Sequence, residues 1–166
     1  MNIIAEFKKI SWEEFMKTGF SHDIYDDILM PKRATIGSAG YDFYSPITIE
    51  LKPGETMKVP TGVRARIDNG WVLCIFPRSS LGFKYRLQLD NTTGIIDSDY
   101  YNALNEGHIF IKITNDSKED KTVVINKGEA FAQGIFFPFG ITVDDEAEGV
   151  RVGGFGSTNK VDDSKN

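Results

Sequence analysis

Turn signals recur along the middle of this chain at spacings too short for helices. Pro53-Gly54, Asn69-Gly70 and Asn126-Lys127-Gly128 divide it into brief apolar pieces. Glycine and asparagine tolerate the positive φ of tight turns, and pieces this short suit strands better than helices. Strands are therefore predicted at 47–51, 55–59, 64–67, 71–76, 107–114, 122–125 and 131–137. Ile109, Ile111 and Ile113 share one face of an extended chain. The run 71–76 is apolar throughout, as in a strand buried on both faces. Asn69-Gly70 reads as a hairpin turn between its flanking strands. The pattern gives an all-β class, a sandwich or jelly roll. One segment departs from it. At 11–20, Ser11 and Glu14 have capping-box spacing, and Trp12, Phe15 and Met16 form an apolar stripe. A short helix packed on the β core is predicted there.

With 166 residues the chain is expected to form one domain, residues 1–150, followed by a flexible arm at 151–166. A net charge of −5 argues against a general binder of nucleic acid or anionic membrane. A local cluster of cations still admits a small nucleotide. Cys74 is the single cysteine, which leaves no disulfide framework and no cysteine-rich metal site. Its place in the apolar run 72–76 suits a small buried hydrophobe. No apolar run reaches membrane-spanning length, so a cytoplasmic location is expected. The acidic run 144–148 reads as a solvated linker.

Five segments carry chemistry. Near the end of the chain, Arg151-Val152-Gly153-Gly154-Phe155-Gly156-Ser157-Thr158-Asn159 sets one aromatic among glycines. Such a backbone can wrap closely over a ligand, with Phe155 as a stacking face. Arg151, Ser157 and Thr158 would be donors to phosphate. A flexible Gly/Ser tail has the same composition. Pro77-Arg78-Ser79-Ser80-Leu81-Gly82 reads as a turn at a strand end, offering a guanidinium and two hydroxyls as a phosphate cradle, or as a plain surface turn. Residues 91–100 read as a hairpin with Gly94 near its tip and Asp97 on the returning arm, placed to act as a general base. Tyr100 there suits either the core or a place beneath a sugar. Gln133 offers an amide to a phosphate or hydrated metal, although an isolated Gln is usually structural. Asp42, in Ala39-Gly40-Tyr41-Asp42, suits an ion pair with an Arg more often than a ligand.

Taken in order, these segments resemble the five motifs of the homotrimeric dUTP pyrophosphatases (dUTPases). Ser38-Ala39-Gly40-Tyr41-Asp42 matches the first and Pro77-Arg78-Ser79-Ser80-Leu81 the second. Asn91 to Tyr100, with Gly94-Ile95-Ile96-Asp97-Ser98-Asp99-Tyr100 at its heart, matches the third; 128–133 and 153–158 match the fourth and fifth. The resemblance implies a distorted jelly-roll or β-barrel trimer, with each active site shared between subunits. It further implies that Asn91, Gly94, Ile95 and Ile96 read uracil through main-chain groups, and that Tyr100 packs on the deoxyribose. Asp97 would activate the water that attacks the α-phosphorus. Arg78, Ser79, Ser80, Gln133, Arg151, Ser157 and Thr158 would hold phosphates, and Phe155 and Gly156 would close over the base. Mg²⁺ would be gripped mainly by the triphosphate, with Asp42 reaching it through water.

There are departures from the family pattern. Arg151 stands one residue nearer the Gly-Gly-Phe-Gly run than usual, Ser80 replaces a common Gly, and Asn159 stands where Gly is frequent. Residues 101–106 read as an insertion, and 11–29 exceed the usual entry strand. Both additions are expected to decorate the barrel or the threefold contacts without altering the chemistry. Two rival readings share parts of this pattern. One is a dCTP deaminase of the same fold, which would carry an Arg near Phe83 and lack the Asp99-Tyr100 pair. The other is a nucleotide-binding relative with a regulatory or protein-interaction role.

Overall fold

The structure, a computed structural model, describes residues 2–153. Among these, twelve strands form four antiparallel sheets. Strand β1 (Ala5–Lys9) pairs with β6 (Val63–Ile67). Strands β5 (Thr56–Pro60), β10 (Phe110–Asn115) and β8 (Leu87–Leu89) form a second sheet, and β4 (Ile49–Leu51) pairs with β11 (Val123–Ile125). The largest sheet runs β2 (Lys32–Arg33), β3 (Tyr41–Tyr44), β12 (Ala130–Pro138), β7 (Trp71–Pro77), β9 (Gly94–Ile96). The all-β expectation stands, but the sheets are open rather than closed into a barrel.

The turns fall where the sequence places them, yet they do a different job. Gly70 adopts φ +83°, as an Asn-Gly turn requires. The flanking strands do not pair with each other, however: β6 pairs with β1, and β7 with β12 and β9. The turn at Asn69-Gly70 is a corner between sheets, not a hairpin. Pro53-Gly54 likewise passes the chain from β4 to β5, and Asn126-Lys127-Gly128 from β11 to β12. Each turn delivers its chain to a different layer. The core between the layers includes Phe43, Leu73, Ile75, Ile109, Ile111, Ile113 and Phe131, all at most 2% exposed. Burying side chains of this size stabilises by roughly 1.5–3 kcal/mol each. Cys74 is buried too.

The helix expected at 11–20 is broken. Helix α1 covers Trp12–Phe15 and passes into a 3₁₀ turn at Met16–Thr18, which ends at Gly19 with φ +83°. Helix α2 follows at His22–Asp26. Ser11 Oγ accepts from the Glu14 N–H at 3.1 Å, but the other half of the capping box is not made. Glu14 instead pairs with Lys17, and the Ser11 N–H is taken by Glu106 Oε2 at 2.8 Å. Phe15 is fully buried against Tyr25 and Phe20, whereas Met16 is half exposed and leaves the stripe. Among the described residues, no helix is long and apolar enough to cross a membrane.

His108 is buried where these layers meet. Its Nε2 accepts from the Gly62 N–H at 3.0 Å, while Nδ1 has no hydrogen-bond partner. Burial, helped by the charge of Lys58, pushes its pKa from 6.5 down to about 4. Between those values the unfolded chain binds a proton that the folded chain does not, so stability falls as pH drops. A melting temperature that declines from pH 6.5 towards pH 4 is expected, with His108→Gln flattening the decline. The full effect of such a shift is on the order of 3 kcal/mol.

Candidate active site

The segment after β8 leaves one sheet and enters another. Strand β8 is bonded to β10, whereas β9 is bonded to β7. Residues 91–100 are therefore a crossover rather than a paired hairpin, and its tip lies at Asn91–Thr93 rather than at Gly94. There the Thr92 N–H bonds Leu89 O at 2.9 Å, and Thr92 takes a left-handed φ of +67°. Gly94 already belongs to β9, opposite Ile75. A Cβ on Gly94 would lie 3.1 Å from the Ile75 Cβ, so glycine there lets β9 sit close on β7. Strand β9 is the edge of its sheet, and an edge strand presents main-chain donors and acceptors that no ladder consumes.

A cleft of about 550 Å³ opens between this crossover and strands β5 and β10. Asn91, Gly94, Ile95, Ile96, Asp97, Tyr100 and Arg151 all line it. Seven of the sequence-predicted residues are thus brought together. Asp97 starts a 3₁₀ turn, Ser98–Asn102, and keeps its carboxylate half exposed. Tyr100 is 7% exposed. Its hydroxyl donates to His108 O at 2.7 Å and accepts from Asn105 Nδ2 at 2.8 Å. Burial raises its pKa, so the phenol stays neutral. Arg151 is held at the cleft by two carboxylates: Nη2 lies 2.6 Å from Asp97 Oδ2, and Nε 2.8 Å from Asp99 Oδ1.

A second group forms at the far end of β7. Gln133 sits in register between Asp42 and Phe76, and its amide donates to Pro77 O at 3.1 Å. Arg78 Nε lies 3.2 Å from Asp42 Oδ1, while Nη1 donates to Ala130 O at 3.2 Å. Ser79 and Ser80 are exposed in the first turn of helix α3, Ser79–Tyr85, where the sequence suggested only a turn. None of these five residues lines the Asp97 cleft. Phe155, Gly156, Ser157 and Thr158 lie outside the described residues.

The cleft also contains residues that sequence reasoning passed over. Phe110 and Lys112 line it from β10, facing away from the buried Ile109, Ile111 and Ile113. Lys58 stands opposite Lys112 on β5, with its ammonium 4.2 Å from the Phe110 ring centroid. The alternation that located the isoleucines marks this opposite face as well. Among the described residues no group of three or more His, Cys, Asp or Glu is placed to hold a metal ion. Asp42, the one carboxylate considered for that role, is engaged by Arg78.

A family model described as dUTPase matches residues 26–159. The chain belongs to the dUTPase family. It is 46% identical over 134 residues to the deoxyuridine 5'-triphosphate nucleotidohydrolase of Lactococcus lactis subsp. lactis (strain IL1403), covering 79% of this chain and 88% of that protein. A namesake from Paraburkholderia phytofirmans is 40% identical over 139 residues, covering 79% and 89%. Among solved structures, the dUTPase from Streptococcus mutans superposes with a TM-score of 0.64 at 40% identity, covering 82% of this chain and 97% of that one. The dUTPase of Staphylococcus bacteriophage 80alpha, solved with dUPNHPP, gives 0.64 at 26% identity, covering 92% and 96%.

The position of Gln133 is open to a direct test. A Cβ on Gly40 would come within 2.6 Å of Gln133 Oε1, a flexible side-chain end that can move aside. Gly40→Ala should therefore cost roughly 1 kcal/mol or less in thermal unfolding. A larger loss would show that the amide is locked in place by its bond to Pro77 O.

Proposed function

We infer that this protein hydrolyses dUTP to dUMP and pyrophosphate. The observation that carries the reading is the half-exposed Asp97 carboxylate at a cleft walled by edge strand β9 and the fixed ring of Tyr100. Uracil would be read by the free main-chain edge of Gly94, Ile95 and Ile96, with Asn91 at the crossover tip. The deoxyribose would lie against Tyr100, where a 2′-hydroxyl finds no room. Methylated or amino-substituted bases would leave buried groups overlapping or unpaired, which gives strong rejection.

In the reaction, Asp97 takes a proton from water as its oxygen bonds to the α-phosphorus. The bond from that phosphorus to the bridging oxygen breaks, and its electrons leave with pyrophosphate. Asp97 must first be released from Arg151. A triphosphate is a more highly charged partner for the guanidinium than one carboxylate, so substrate binding would draw Arg151 across and free the base. Arg78, Ser79, Ser80 and Gln133 would supply the remaining phosphate contacts, together with Ser157 and Thr158. Phe155 and Gly156 would cover the base.

Within one chain the Arg78 group stands apart from the Asp97 cleft, which supports a homotrimer in which neighbouring subunits complete each site. Magnesium would arrive as Mg-dUTP. With Asp42 engaged and no carboxylate cluster among the described residues, the ion would rest chiefly on the phosphates, and Asp42 would reach it only through water. The work left to the chain is positioning and charge stabilisation.

The defining measurement is pyrophosphate release from dUTP, dTTP, dCTP and UTP. Turnover should be confined largely to dUTP, and comparable rates on all four would overturn the reading. Asp97→Asn should bind dUTP yet lose about 10²–10⁴-fold in kcat. A rate near wild type would remove the base from the mechanism.

A further inference from the structure

The two segments expected only to decorate the barrel, the N-terminal helical segment and the 101–106 insertion, are bonded to each other and to the cleft wall. The Ser11 N–H and hydroxyl both donate to the Glu106 carboxylate, at 2.8 and 2.6 Å. Arg64 stacks over the Tyr101 ring, 3.6 Å from its centroid, and donates to Tyr101 O at 2.5 Å. Ala103 is buried, and the loop closes through Gly107 at φ +71°. A Cβ on Gly107 would fall 2.6 Å from the Tyr100 carbonyl oxygen, so the loop is folded tightly back on Tyr100. Asn105 stands at the junction. Its Oδ1 accepts from the Gly107 N–H at 3.1 Å, and its Nδ2 donates to the Tyr100 hydroxyl at 2.8 Å.

We propose that Asn105 is a positioning residue for dUTP hydrolysis: it fixes the Tyr100 ring and thereby sets the wall that excludes a ribose 2′-hydroxyl. The phenol is clamped from two sides, donating to His108 O and accepting from Asn105. With the Asn105 donor removed, the ring is held by one bond and gains freedom to tilt. Discrimination against an added hydroxyl depends on a wall that does not yield. Asn105 is carried by the insertion, and Glu106 next to it ties that insertion to Ser11. The additions therefore act on substrate choice as well as on packing. The proposal rests on the reading of Tyr100 as the neighbour of the sugar.

The test uses the full-length protein and the ratio of kcat/KM for dUTP to that for UTP. Asn105→Ser keeps an acceptor for the Gly107 N–H through a serine turn but is too short to reach Tyr100. The ratio should fall about tenfold through increased UTP turnover, with a modest change in melting temperature. Tyr100→Phe, which keeps the ring and loses both bonds, should produce a similar fall. The double variant should fall no further than Tyr100→Phe alone, since without the hydroxyl Asn105 has no bond to the ring left to lose. A ratio unchanged in Asn105→Ser, or losses that simply add in the double variant, would overturn the proposal. Should Asn105→Ser fail to fold, an unchanged ratio in Tyr100→Phe would overturn it equally. Tyr100→Ala separates the two levels of the argument. If it leaves the ratio intact, the sugar reading falls together with the proposal. If it abolishes discrimination while Asn105→Ser does not, only the positioning role is lost.

Discussion

Strand β7 is bonded along both edges, and the layout of the site depends on that double pairing. On one side it runs beside β12 for seven residues, from Pro77 opposite Ala132 to Trp71 opposite Pro138. On the other it holds the three residues of β9. The first contact is close because Gly134 gives way to neighbouring side chains; a Cβ there would lie 2.8 Å from Leu73 and 2.9 Å from Phe43. The second is close because Gly94 does the same for Ile75. Asp97 follows β9 on one side of this strand, while Gln133 sits on β12 on the other side and Arg78 follows β7 itself. The separation of those two groups is a property of the sheet, not of any loop.

Much of the fold was legible in the sequence, for reasons that also explain what was not. Strands β4 to β7 and β10 to β12 announce themselves through turn residues and the period-2 burial of Ile109, Ile111 and Ile113. A turn signal states that the chain changes direction; it does not name the partner on the other side. Asn69-Gly70 is the clearest case, with the right backbone geometry in a corner that joins separate sheets. Helix α3 was hidden because Gly82 interrupts a seven-residue stretch that opens on two serines and carries two aromatics. Strand β1 was passed over because its alternation is faint and its partner β6 lies nearly sixty residues away in sequence.

The site divides in the same way. Asp97 and Tyr100 could be singled out as candidates because particular chemistry needs particular residue types in a fixed order. Asn105 and Glu106 carry no such signature. Their meaning comes from contacts with Tyr100 and Ser11, and the second of these spans 95 positions. Half of the expected capping box was real, but Glu106 fills the role that local spacing assigned to Glu14. Local rules identify which groups need partners, and tertiary structure decides who supplies them.

The bridging of Arg151 between Asp97 and Asp99 bears on how an acidic protein admits an anion. Two bare carboxylates at the mouth of a cleft, on a chain of net charge −5, would repel a triphosphate before any favourable contact formed. A guanidinium lodged between them mutes that local field without removing either acid. The approach of the nucleotide should then owe little to long-range attraction and depend on the contacts met at the cleft itself.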